Sequence, residues 1–281
     1  MAAGIAVLLA TAARAQVSIT AGNLTYSQNF DSLTRSSTLE AWTDNTATTS
    51  TADSPRVVGL AGWYAAAFAS ASAGTTNGYT PQIRAAGTTT SATGAFYSYG
   101  ATGDSDRALG TLPTDGITGA GAGALRFGVR FVNNTAQTIT GFTFSYDGEQ
   151  WRNAAVTDVN NQFTVGYALF APGAGTLANP YIATAADFNT PFDGTGTGGT
   201  SVALDGNAPA NRVAGIGDTI TGISLAPGDE LWLRWSDANS SGLDQGIGID
   251  NFSITFAVPE PSSAAVLALG ALVLLRRGRR K

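Results

Sequence analysis

Cysteine and histidine are both absent from the 281 residues, and lysine occurs once, at Lys281. Without cysteine there is no disulfide framework, no thiolate metal ligand and no thiol nucleophile. Without histidine the commonest general base and the imidazole ligands of zinc are missing, which excludes serine-histidine-acid catalysis. Charge is sparse as well: 12% of residues are charged and the formal net charge is -5. That figure hides an asymmetry, because five of the 15 basic residues crowd the last six positions and Arg14 lies near the start. Residues 16 to 258 hold nine arginines against nineteen acidic side chains, an excess of ten negative charges. A body this acidic repels phosphate backbones, which argues against nucleic acid as a partner.

What is present is small and apolar. Hydrophobic residues make up 43% of the chain and glycine contributes 35 positions, with much Ala, Thr and Ser between them. No long amphipathic helical pattern occurs, so the expected class is all-β, with short strands joined by many turns. Stability must then come from a packed core.

Both ends read as addresses. An apolar run from Ala2 to Ala10 precedes Ala13-Arg14-Ala15, whose small residues Ala13 and Ala15 suit signal peptidase and place the cut before Gln16. No positive charge precedes that run, so Met1 also fits an internal start. The other end reads Val258-Pro259-Glu260-Pro261-Ser262-Ser263, then Ala264 to Leu275 without a charge, then Arg276-Arg277-Gly278-Arg279-Arg280-Lys281. The prolines end the preceding strand, because they lack the amide donor of a sheet ladder. The following apolar residues rise only about 18 Å as a helix, against a hydrocarbon layer of about 30 Å. Snorkelling arginine stems extend that reach, and the basic cluster acts as a cytoplasmic stop.

This order of triplet, short apolar helix and terminal arginines resembles the PEP-CTERM sorting signal. The resemblance rests on Pro259, Glu260, Pro261, Arg276, Arg277, Arg279 and Arg280. It implies recognition by an exosortase, a membrane protease of Gram-negative bacteria that make exopolysaccharide. It further implies a membrane-anchored intermediate, cleavage near the triplet, and transfer to the cell surface or extracellular matrix.

Between the ends, Leu125, Phe127, Val129 and Phe131 alternate with Arg126, Gly128 and Arg130, the period of two that gives a strand one apolar and one polar face. Asn133-Asn134 turns the chain. Phe142, Phe144 and Tyr146 mark a second strand, and Phe163, Val165, Tyr167 and Leu169 a third; the three are expected to form a meander. Ile220 to Leu225, a Pro227-Gly228-Asp229 turn, Leu231 to Trp235, and a strand from Ile247 to Phe256 follow. In the last, apolar parity moves from Ile247 and Ile249 to Phe252, Ile254 and Phe256, which predicts a bulge at Asp250-Asn251. Gly62-Trp63-Tyr64 and Ala95 to Gly100 are weaker strand candidates among Thr/Ser/Gly/Ala-rich loops. The expected architecture is one antiparallel, jelly-roll-like β-sandwich over residues 16 to 257.

Local motifs of this region resemble an ectodomain of PEP-CTERM and other exported bacterial proteins. They are Gln28-Asn29-Phe30-Asp31-Ser32-Leu33, Gly62-Trp63-Tyr64, Ser105 to Gly110, Gly148 to Asn153, and Leu231 to Asp237 leading to Gly248-Ile249-Asp250-Asn251-Phe252. That resemblance implies a β-sandwich accessory module and no particular activity.

Three sets of side chains are candidates for chemistry. Asp237, Asn239, Asp244 and Asp250, joined by Asp31, carry oxygen donors of the kind a hard cation such as calcium requires; the alternative is that they make Asx turns. Glu149, Trp151 and Arg152 could grip a sugar by stacking and bidentate hydrogen bonds, or form an ion pair and core anchor. Glu149 with Asp147 or Asp237 is the one pair to screen for two-carboxylate glycosidase chemistry. Arg107 and Arg234 are expected to pair with buried acids, with a cation-π contact for Arg234 near Trp232 and Trp235. The leading expectation is a non-enzymatic envelope or matrix protein associated with exopolysaccharide. Its alternatives are a calcium-dependent carbohydrate-binding module and a glycosidase-like enzyme.

Overall fold

Alternating side chains carry most of the chain into strands. The computed structural model describes residues 16–42, 50–52, 60–69, 81–86, 93–119, 123–154, 162–192, 201–240 and 243–259. Ala13, Ala15 and the rest of the expected signal peptide lie outside them, as do Glu260, Pro261, the apolar stretch 264–275, Arg276, Arg277, Arg279 and Arg280. In chain order the first strands are β1 (Val17–Ile19), β2 (Thr25–Gln28), β3 (Glu40–Ala41), β4 (Ser50–Ala52), β5 (Leu60–Phe68) and β6 (Gln82–Ala86). Next come β7 (Ala95–Tyr99), β8 (Ala108–Leu112), β9 (Ala124–Asn133), β10 (Ile139–Asn153), β11 (Gln162–Phe170) and β12 (Ile182–Ala183). The last are β13 (Phe188–Asn189), β14 (Val202–Ala203), β15 (Arg212–Leu225), β16 (Glu230–Ala238) and β17 (Gly246–Ala257).

Among the described residues these strands form two sheets. The eight-stranded sheet runs β12-β11-β16-β9-β5-β4, with β1 beside β9 and β13 beside β11. The nine-stranded sheet runs β14-β10-β17-β8-β7-β6-β3, with β15 beside β10 and β2 beside β17. Pairing is antiparallel except between β1 and β9 and between β6 and β7. β1 continues the edge of β9 where β5 leaves it, at Val17↔Phe131. Gly62 makes that junction possible: its φ is +84°, and a Cβ there would stand 2.8 Å from the Val17 nitrogen.

The core lies between the sheets and draws on residues from Ile19 to Phe256. At its centre the Trp235 indole stacks on Phe127 (centroids 5.6 Å apart, planes 10°) and Trp63 (5.8 Å, 23°). Tyr146 and Phe252 of the opposite sheet meet Trp235 edge-on, at 5.6 and 5.4 Å. Such aromatic contacts contribute about 0.5–1.5 kcal/mol each beyond the area they bury.

The predicted meander does not form. β9 and β11 belong to the eight-stranded sheet, each paired to β16. β10, between them in sequence, belongs to the other sheet and pairs with β17 and β15. Alternation marks a core-facing side but carries no information about which strand is the hydrogen-bonded neighbour. The first crossing is held by buried Asn133, whose Nδ2 donates to the Gln137 and Leu225 carbonyls at 2.9 and 2.8 Å.

The predicted bulge does form. Ser145 pairs with Ser253 and Asp147 with Asp250, so three steps on β17 oppose two on β10. Asn251 absorbs the extra residue at φ 50°. The shift keeps Ile247 and Ile249 before it, and Phe252, Ile254 and Phe256 after it, in the same core.

The polar face of β9 is buried rather than solvated. Residues 171–181 lie over it, held by Arg234, whose Nη1 donates to the Leu177 and Asn179 carbonyls at 2.9 and 3.1 Å. Arg126 reaches the same Leu177 carbonyl at 3.4 Å, with its guanidinium 4.2 Å from the Phe68 ring centroid. On this face the acid-paired arginine is Arg130, 2.7 Å from Glu230, with both side chains buried. The expectation for Arg107 and Arg234 is corrected accordingly: Arg107 donates to Ser98 Oγ at 3.0 Å and to the Ser98 and Ala101 carbonyls. Arg234 makes its cation-π contact with Tyr181, at 3.9 Å.

Candidate functional site

The pleat of β10 sends Phe144 and Tyr146 into the core and Asp147, Glu149 and Trp151 to the outer side of the nine-stranded sheet. Across β17, Asp147 lies opposite Asp250 and Glu149 opposite Gly248. Glu149 and Asp250 are thus diagonal neighbours on one face, brought there by the bulge at Asn251. Asp31, in the turn after β2, and Asp106, in the loop between β7 and β8, add their charges to the same place.

These acids differ in how they are satisfied. Asp147 is well held: it accepts from Gly215 N at 2.8 Å and Asn251 Nδ2 at 3.2 Å, and lies 3.7 Å from Arg212. Asp31 accepts from Asn29 Nδ2 at 2.6 Å and from Arg107 N at 3.3 Å. Glu149, 0% exposed, accepts from Trp151 Nε1 through Oε2 at 2.9 Å. Its Oε1 has no hydrogen-bond partner among the described residues, and neither has Oδ1 of Asp250, a residue 3% exposed. Burial pushes the Glu149 carboxyl up to about 8, and the nearby Asp250 adds to the rise. Burial likewise raises Asp250 to about 7, with Asp106, Asp31 and Asp147 contributing. A polar cleft of about 420 Å³ adjoins this cluster, lined by Ser27, Gln28, Asn29, Asn251, Phe252 and Ser253.

Glu149, Trp151 and Arg152 are not a surface grip for sugar. Their exposures are 0%, 1% and 2%. Trp151 stacks parallel to Tyr99, with centroids 5.8 Å apart, and belongs to a second apolar cluster on the outer side of the sheet. A Cβ on Gly206 would stand 2.3 Å from its indole, so the 205–207 turn packs directly on the ring. Arg152 donates to the Asp244 carbonyl and to Ser201 Oγ.

The five residues expected as cation ligands do not converge either. Asp237 lies inside the sandwich, where its Oδ2 accepts from Thr111 Oγ1 at 2.6 Å. Asn239 donates to Asp115 Oδ1 and the Gly119 carbonyl, and Asp244 Oδ1 accepts from Ser240 N at 2.9 Å. Of the five, Asp31 and Asp250 share a neighbourhood. No group of three or more acids among the described residues stands as a ready metal cage. The acid pairs screened for hydrolysis fare no better, since Asp237 is on the far side of the sheet and Asp147 is bound to Arg212 and Asn251. The real neighbour of Glu149 is Asp250. Sequence reading assigned the two to different candidate sites, because only strand register joins them; the parity shift in β17 was the available clue.

A buried carboxyl pair of this kind can hold protons or a cation. It presents no surface on which a sugar ring could react while Glu149 stays fully enclosed. No family model matches this chain, and no curated protein matches it.

Proposed function

We propose that the chain is an exported envelope or matrix protein of a Gram-negative, exopolysaccharide-making bacterium. Signal peptidase cuts before Gln16, and the short apolar tail holds the protein briefly at the inner membrane. An exosortase then acts near Pro259-Glu260-Pro261, and the freed body serves a structural or exopolysaccharide-associated role. The observation that carries this reading is the sequence at the two ends: Ala13-Arg14-Ala15 after an apolar run, and Pro259-Glu260-Pro261 followed by an uncharged apolar stretch and a basic cluster. Among the described residues the first paired strand starts at Val17 and the last ends at Ala257, so both expected cuts would leave every described pairing intact.

A jelly-roll-like body agrees with the way β9, β10, β11 and later β15, β16, β17 alternate between the sheets. No helix among the described residues is long and apolar enough to cross a membrane, and residues 264–275 lie outside them. Intact mass of the protein recovered from the surface of an exosortase-bearing host tests the proposal. The expected species starts at Gln16 and ends near the triplet, without its basic cluster. A full-length species ending at Lys281 and soluble in the cytoplasm would overturn it.

A further inference from the structure

We propose that the carboxylate cluster at the β17 bulge is a divalent-cation site suited to calcium, in which Glu149 and Asp250 are joined by Asp31 or Asp106. The inference stands apart from how the chain is sorted. Its first ground is the crowding of acidic side chains on one buried patch. Asp147 and Asp250 are directly opposite on paired strands, Glu149 is diagonal to Asp250, and Asp31 and Asp106 approach from two loops. Like charges placed so close repel and burial deepens the penalty, so the cluster holds protons until a cation replaces them. Two guanidiniums are near, and neither forms an ion pair with Glu149 or Asp250: Arg212 stands 3.7 Å from Asp147 at one third exposure, and Arg107 donates to Ser98 and Ala101.

The second ground is independent of charge counting. Oε1 of Glu149 and Oδ1 of Asp250 are buried and have no hydrogen-bond partner among the described residues. Buried polar oxygens in native proteins are almost always satisfied, so a pair on the same patch of sheet marks an occupant. Every donor at hand is oxygen, which selects a hard cation. Next along β17 lies a cleft whose lining includes the oxygen-bearing side chains of Ser27, Asn29, Asn251 and Ser253. Calcium accepts six to eight such ligands, neutral oxygens and water included, in irregular geometry, whereas magnesium demands a near-octahedral cage. Three acids do not yet converge, so ion binding would draw Asp31 or Asp106 inward and tie the turn after β2 to the last strand.

The test uses the full chain stripped with chelator, titrated with calcium by calorimetry and followed by thermal unfolding. Calcium at a hundredfold over its Kd is expected to raise the Tm by roughly 5–10 °C. The shift should vanish in Asp250→Asn and in Glu149→Gln, and persist in Asp229→Asn. Should both variants misfold, terbium luminescence on the wild-type chain decides: sensitised emission displaced by calcium is expected. No heat and no Tm shift in millimolar calcium would overturn the site, as would absent terbium emission, or an equal shift from sodium chloride at matched ionic strength.

Discussion

Glu149 and Glu230 are both buried glutamates that accept an indole N–H two residues on, at 2.9 and 2.8 Å, yet they respond to pH with opposite signs. Burial pushes both carboxyls up. For Glu230 the hydrogen bonds from Arg130, Trp232 and Gly173 outweigh burial, and its carboxyl ends below the ordinary value. Its stabilisation is therefore present above the unfolded pKa and lost as pH falls. Glu149 has no such cation at its free oxygen, and its carboxyl ends up at about 8. The native state keeps a proton that the unfolded chain releases above about pH 4.5, so stability is full in acid, falls as pH rises and levels off above about 8. In chelator, Glu149→Gln removes this slope while its amide oxygen still accepts from Trp151. Urea titrations should show the variant more stable by on the order of 2–4 kcal/mol at pH 8, with little difference below pH 4. An unchanged alkaline limb would place the charge of Glu149 elsewhere. The residue types of this pair were legible in the sequence, but their adjacency was not, because it depends on the register of two strands far apart along the chain.

At the scale of the element, β17 shows how far pattern reading reaches. The parity shift from Ile249 to Phe252 identified the bulge, since every apolar side chain had to keep facing the core. Which strands flank β17 could not be read from it, and the same gap produced the mistaken meander. The 171–181 segment was illegible for another reason. A covering loop has carbonyls to satisfy, and Arg126 and Arg234 serve them from β9 and β16, a role that an acid-pairing expectation overlooks. The bulge itself rests on Asn251 in a left-handed conformation, which asparagine tolerates and β-branched residues do not. Asn251→Gly is expected to leave stability within about 1 kcal/mol, with only the Asp147 hydrogen bond lost. Asn251→Val should lower it by about 1–2 kcal/mol or more. Chemical denaturation measures the difference, and amide exchange should place the new openings in β17 and β2. Equal losses in the two variants would mean that backbone strain is not what Asn251 relieves.

For the whole molecule, both ends of the described chain are tied into strands, β1 on β9 in one sheet and β17 between β10 and β8 in the other. A chain trimmed to Val258 keeps every strand pairing of the described residues, and with a tail that serves only sorting it should melt within about 2 °C of the untrimmed protein. A chain trimmed to Asp250 loses Phe252, Ile254 and Phe256, each no more than 2% exposed, together with the partner of β2. Burying such side chains contributes about 1.5–3 kcal/mol apiece. Three of them approach the entire stability of an ordinary domain, about 5–15 kcal/mol. Calorimetric melting of the two truncations should therefore separate them completely, with one cooperative transition in the longer and none in the shorter. That contrast bears on the proposed processing: cleavage at the triplet would leave intact every strand pairing of the described residues, the last of which ends at Ala257. If the chain ending at Val258 failed to melt cooperatively, the tail would be part of the fold, and its removal could not be a maturation step.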